Sequence, residues 1–158
     1  MAPICFQDEF TKSNAKPIEY KGKTLVLRDH YNVVDGDGFK ISIEQINSER
    51  RQGVTLSIPK HDIIISGQTF HHGVVLWQDL VSKDTLISIH LKQKTIGVLS
   101  IYNSWDWGEG IKESCHNGAA MHIEKINKNH KRYWCNDGYP DDNLNDIVFC
   151  VEKIGPDS

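Results

Sequence analysis

The chain has 158 residues, of which 39 % are hydrophobic and 25 % charged, and its formal net charge is -3. That is enough for one domain with a packed core, and the apolar content excludes a disordered polymer. The slight acidic excess excludes the basic footprint of a nucleic-acid binder, and no apolar run approaches the ~18 residues that a membrane-spanning helix needs.

In chain order, the opening stretch MAPICFQDEF shows no basic-then-apolar leader. The expected location is therefore cytoplasmic, or secreted without a visible signal peptide. From there the hydrophobic period is two. Phe39, Ile41 and Ile43 alternate in FKISI, and Val54, Leu56 and Ile58 in VTLSI. The runs DIIIS and GVVLW are continuous and read as fully buried strands. Alternation returns with Ile87, Ile89 and Leu91, then Ala119, Met121 and Ile123, then Ile147, Phe149 and Val151. Breakers separate these segments: DGDG, ERRQG, SGQ, HHG, WGEG, HNG and NDGYP. No segment sustains a helical stripe over three turns. The pattern predicts an all-β domain over residues 1–158, an antiparallel β-sandwich or jelly roll. Cys5, Cys115, Cys135 and Cys150 lack C-x-x-C spacing, which argues against a structural zinc site and for free thiols.

Three segments carry candidate chemistry. In NSWDWGEGIKESCHNG, Trp105 and Trp107 share one face of an extended strand with Asp106 between them. An aromatic face stacks on the apolar side of a sugar ring, while Asp106, Glu109, His116 and Asn117 hold hydroxyls; two core tryptophans beside a polar loop is the plainer alternative. In WCNDGYPDDNLNDIVFCVEKI, Asp137, Asp141, Asp142, Asn143, Asn145 and Asp146 crowd one turn. Calcium takes six to eight oxygens of these kinds, and such a cluster repels itself without a cation. An ordinary solvated turn uses the same residue types. Asp35 and Asp37 of YNVVDGDGFKISI form a second acidic turn, either a hairpin turn or the other half of a shared cation site. Finally, His90, His122 and Glu124 form the nearest approach to a metalloenzyme's strand-borne ligand set.

The order of residues in NDGYPDDNLNDIVFCV resembles the calcium-dependent galactose-binding lectins of bacteria, which are small jelly rolls. The resemblance implies calcium ligands at Asp137, Asp141 and Asn145, with Asn143 one place early because Leu144 stands where the first of two paired asparagines is expected. It also implies a calcium-binding carbonyl at Tyr31, from the turn that begins Tyr31–Asn32. ICFQDEF, GFKISIEQI and NDIVFCVEKI are similar to parts of βγ-crystallin Greek keys, although Phe149 and Cys150 replace two motif positions. The expectation is a lectin-like, calcium-dependent carbohydrate-binding protein, with calcium as cofactor and a homo-oligomer left open. A jelly-roll metalloenzyme and a βγ-crystallin-like structural module are the alternatives.

Overall fold

The computed structural model describes residues 6–81, 84–93, 96–139 and 141–155; Cys5 and Pro140 lie outside them. Among the described residues one helix, α1 (Phe6–Lys12), precedes twelve strands. The first six are β1 (Ile18–Tyr20), β2 (Lys23–Val26), β3 (Asp29–Val33), β4 (Gly38–Ile46), β5 (Arg51–Ile65) and β6 (Gln68–Trp77). The rest are β7 (Asp84–His90), β8 (Gly97–Asp106), β9 (Lys112–Ser114), β10 (Ala120–Asn127), β11 (His130–Asn136) and β12 (Ile147–Gly155).

The strands pair antiparallel in the order β1-β2-β10-β11-β12-β4-β7-β5-β8-β3, with β6 added to β5 and β9 to β8. This path curls back on itself. Tyr31 on β3, at one end of the path, meets Tyr133 on β11 hydroxyl to hydroxyl at 3.0 Å, and Lys131 on β11 reaches Asp29 on β3 at 3.0 Å. Between the facing halves lies one apolar core. Phe39, Ile41, Tyr133 and Phe149 from one side pack with Val54, Leu56, Leu99 and Ile101 from the other. The Tyr133 and Phe149 rings stack with centroids 4.7 Å apart. The result is the all-β, sandwich-like fold that period-two patterning predicts.

Of the alternating sets, Ile87, Ile89 and Leu91 are buried, as are Val54, Leu56 and Ile58, but Ile43 and Ile123 are half-buried, and β12 is buried on both faces, at Val148 and Cys150 as well as at Ile147, Phe149 and Val151. The two continuous runs need correction. β6, which carries GVVLW, pairs among the described residues with β5 alone, so most of that run is half-buried. In DIIIS, Ile63 is buried but Ile64 and Ile65 are half-buried. β5 bends at Pro59–Lys60, where Lys60 has φ +71° and the register shifts between Ser57 and Asp62. Its first half thereby pairs with β8 and its second with β7.

FQDEF, part of the segment ICFQDEF that is similar to the opening of a βγ-crystallin Greek key, is helical in α1. Phe6 and Phe10 lie four apart, on one face of a helix, and both enter a small second core with Leu25, Ala120 and Leu144. The segment is too short to show three turns of periodicity.

Candidate functional site

Three loops meet at one end of the sandwich: 47–50 between β4 and β5, 107–111 between β8 and β9, and 137–146 between β11 and β12. Asn47 ties the first to the third, its amide N–H donating to the Asp146 carbonyl at 3.0 Å and its side chain to the Asn145 carbonyl at 2.8 Å.

Asp137 is the centre of this end and is closed to water. Five donors saturate its carboxylate: Arg50 Nε (2.8 Å) and Nη2 (3.2 Å), Ser48 Oγ (2.7 Å), Gln52 Nε2 (3.0 Å) and the Tyr139 N–H (2.9 Å). Burial alone would raise its pKa. Arg50, the Tyr139 amide and Ser48 outweigh that and hold the carboxyl below the usual carboxylate range. Burial likewise opposes the charge on Arg50, and Asp137 more than restores it.

The remaining polar residues of the turn are also engaged. Asp146 accepts the Asp137 N–H at 2.9 Å; burial first, and then the nearby Asp137 and Asp141 charges, push its pKa up to about 7. Asp142 binds Tyr20 Oη and Lys21 Nζ, each at 2.9 Å, and so fastens the β1–β2 hairpin to the loop. Asn136 is buried and clamps the loop from inside, donating to the Asp141 carbonyl at 2.5 Å and accepting the Leu144 N–H at 2.6 Å. Leu144, with φ +55°, turns its side chain into the second core. Asp141 accepts from the Asn143 N–H at 3.2 Å. Asp137 therefore does not fit a calcium ligand: its oxygens already face a guanidinium, a hydroxyl and two amide groups.

The two tryptophans of WDW part company. Trp105 is fully buried, so it cannot stack on a ligand; this corrects its candidacy. Its ring lies 5.4 Å from that of His116, and a Cβ added to Gly138 would stand 2.7 Å from the indole. Glycine at 138 is what lets the loop backbone lie on that ring. Trp107 is 44 % exposed and Tyr139 52 % exposed. The Arg50 guanidinium lies 4.6 Å from the Trp107 ring centre and 5.4 Å from that of Tyr139. Beside them, a depression of about 530 Å³ is lined by Glu49, Arg50, Arg51, Asp106, Trp107 and Gly108. Arg51 continues the rim, stacked 4.5 Å from the Trp77 ring centre and paired with Asp79. Asp106 accepts the N–H groups of Gly108, Glu109 and Gly110 on one oxygen at 2.7–3.1 Å, which shapes the loop that carries Trp107.

Other expected site residues lie elsewhere. His116 pairs with Glu113, and the Asn117 backbone N–H binds the Gln7 side chain at 2.8 Å, holding α1 to the sandwich. Tyr31 sits in the β3 ladder opposite Leu99, with its hydroxyl on Tyr133. The Asp35–Asp37 turn does not complete a cation site with the Asp137 loop. It adjoins Gly38, which pairs with Gly155 at the far end of β12, and nine residues of strand separate that end from Ile147, roughly 25–30 Å at the usual rise. Nor is it a hairpin turn, because β3 pairs with β8 whereas β4 pairs with β12 and β7. His90 on β7 and His122 and Glu124 on β10 are separated in the sheet by β4, β12 and β11. Among the described residues, no group of three His, Cys, Asp or Glu side chains could hold a metal ion. Cys115, Cys135 and Cys150 are free thiols.

Reading the sequence missed Arg50, Arg51 and Gln52, all within the stretch ERRQG taken as a breaker, Ser48 just before it, and Tyr139. The adjacent arginines entering a strand were the available signal. Comparisons with protein-family models, curated proteins and solved structures find no match to the chain.

Proposed function

We propose that the protein is a carbohydrate-binding module whose site is the depression walled by Trp107 and Arg50, with Tyr139 on its margin. The observation that carries this reading is the exposure of Trp107 and Tyr139, both close to an arginine that a buried carboxylate holds still. A sugar ring needs an apolar face to stack on and both donors and acceptors at its rim. Trp107 offers the face, Arg50 and Arg51 donate, and Glu49 and Asp106 accept. Opposite charges balance around the depression, which favours a neutral polyol over a strongly charged ligand.

The same geometry supports binding rather than catalysis. Asp137 and Asp146, the neighbouring acids of this end whose pKa values are displaced in opposite directions, are both buried beneath the loop and bound to protein donors. In this reading the positive charge facing Asp137 is Arg50, and calcium is not needed there.

A glycan array followed by calorimetry on the best hit tests the proposal. We expect Trp107→Ala to abolish binding and Tyr139→Ala to weaken it, both with melting temperatures near that of the parent. Absence of any glycan hit, or a hit that survives both substitutions, would overturn it.

A further inference from the structure

A second concavity lies on a different part of the surface and shares no lining residue with the first. It encloses about 500 Å³ between the chain following α1, the β2–β3 connection and the loop after β9. Ala15, Pro17, Val26 and Leu27 make its lining largely apolar, and Cys115, Arg28 and His30 supply its polar groups. The size is in the range of small-molecule sites, and a few polar groups on an apolar wall is their usual chemistry.

The charges decide what fits. Arg28 and His30 are two apart and face the concavity, whereas Asp29 between them turns to the core side and is committed to Lys131 at 3.0 Å and to the Tyr133 hydroxyl at 2.5 Å. Among the described residues Arg28 makes no ion pair with a carboxylate; its guanidinium lies 4.7 Å from the centre of the nearly buried Tyr102 ring. Lys112 Nζ lies 5.6 Å from the same ring centre. His30 Nδ1 is held by Ser100 Oγ at 2.9 Å, which sets the orientation of the imidazole. In a chain of net charge -3, this places an apolar cleft beside a cationic margin that forms no ion pair among the described residues.

We propose that this cleft binds a small amphipathic carboxylate, its hydrocarbon body against Val26, Leu27 and Pro17 and its anionic head on Arg28. Guanidinium and carboxylate match as a two-pronged pair, and the stacked position over Tyr102 holds the fork in place. The proposal is independent of the carbohydrate reading.

Decanoate is the probe, with decan-1-ol as its uncharged counterpart and acetate as the head alone. We expect saturable decanoate binding by calorimetry, at least tenfold tighter than decanol, and no detectable acetate binding. Arg28→Gln should bring decanoate down to the level of decanol, and Leu27→Trp should weaken both by filling the cleft. In the unsubstituted protein, decanoate should slow alkylation of Cys115, mapped by peptide mass spectrometry. That measurement does not depend on either variant folding. Equal binding of acid and alcohol, Arg28→Gln indistinguishable from the parent, or Cys115 labelling unmoved by saturating decanoate would each overturn the proposal.

Discussion

Arg50 and Asp137 are joined by two hydrogen bonds, Nε to Oδ2 at 2.8 Å and Nη2 to Oδ1 at 3.2 Å, and the carboxylate has no contact with solvent. They lie 87 residues apart in sequence, so one pair welds the β4–β5 loop to the β11–β12 loop. Removing one member strands the other. Arg50→Ala strands the buried Asp137 carboxylate, and leaving a buried charge unpaired costs about 3–5 kcal/mol; Asp137→Asn strands the half-buried Arg50 and costs less. Asp137→Asn should therefore lower the melting temperature by roughly 2–4 °C for each kcal/mol lost. Arg50→Lys should fall between parent and Arg50→Ala, because an ammonium cannot serve both carboxylate oxygens with a planar fork. Thermal melts of the three variants check this; an unchanged Asp137→Asn melt would remove the pair from the account of this loop.

Trp105 and Trp107 differ by two positions and should differ in kind. Trp105→Ala empties a packed site and should cost about 3–5 kcal/mol. Trp107→Ala removes a ring that is 44 % exposed and should cost less than about 1 kcal/mol while abolishing glycan binding. Gly138→Ala should resemble Trp105→Ala in direction, since the added Cβ would stand 2.7 Å from the indole. Denaturant midpoints set beside binding isotherms distinguish the two tryptophans, and a large stability loss at both would reject Trp107 as a ligand platform.

What could be read beforehand follows from range. Strand periodicity is a local property, and Ile87, Ile89 and Leu91 announce their buried face within five residues. The strand order is not local. That β4 lies between β12 and β7 depends on pairings across more than forty residues, such as Gly38 with Ser88. The acidic turn was visible as a concentration of oxygen, but the sign of its partner was not. Arg50 stands far upstream in a stretch that resembles an ordinary polar loop. The same limit hid the separation of Trp105 from Trp107. Alternation places both on one face of an ideal strand, but β8 ends at Asp106 and Trp107 turns outward with the following loop.

Asp146 gives the molecule a pH dependence of defined sign. Its folded pKa, about 7, lies above the unfolded carboxylate value, so folding favours the protonated form. Its stabilising contribution is full below the unfolded pKa near ~4 and is lost as pH rises through 7. Asp137 acts in the opposite sense: its pKa is lowered, and its contribution fades only as pH falls through the acid range. Stability should therefore be greatest on the acidic side and decline between about pH 4 and 7, with a slope of up to about 1.4 kcal/mol per pH unit from this one group, and level off above that. Asp146→Asn imitates the neutral acid and keeps an acceptor for the Asp137 N–H. It should flatten the profile between about pH 4 and 7 and raise the melting temperature at and above the upper end. A parent profile already flat over that window would show that Asp146 ionises normally in the folded protein.

Calcium provides the last test, and the geometry sets its expected sign. An ion that binds only the folded state stabilises it by about 2.7 kcal/mol at a hundredfold excess over its dissociation constant. In a domain of this size that is a rise of several degrees. The carboxylates most central to the acidic turn are already neutralised, Asp137 by Arg50 and Asp142 by Lys21. To take Asp137 as a ligand, calcium would have to displace a guanidinium, a hydroxyl and two amide donors. We therefore expect millimolar calcium to move the melting temperature of metal-free protein by less than about 1–2 °C, and a chelator to leave glycan binding intact. Arg50→Ala sharpens the experiment, because it frees the Asp137 oxygens and restores the self-repulsion that a cation relieves. Calcium should stabilise that variant more than the parent. A rise of several degrees in the parent, lost in Asp141→Asn, would instead place a cation on the outer side of the turn and return calcium to the carbohydrate site.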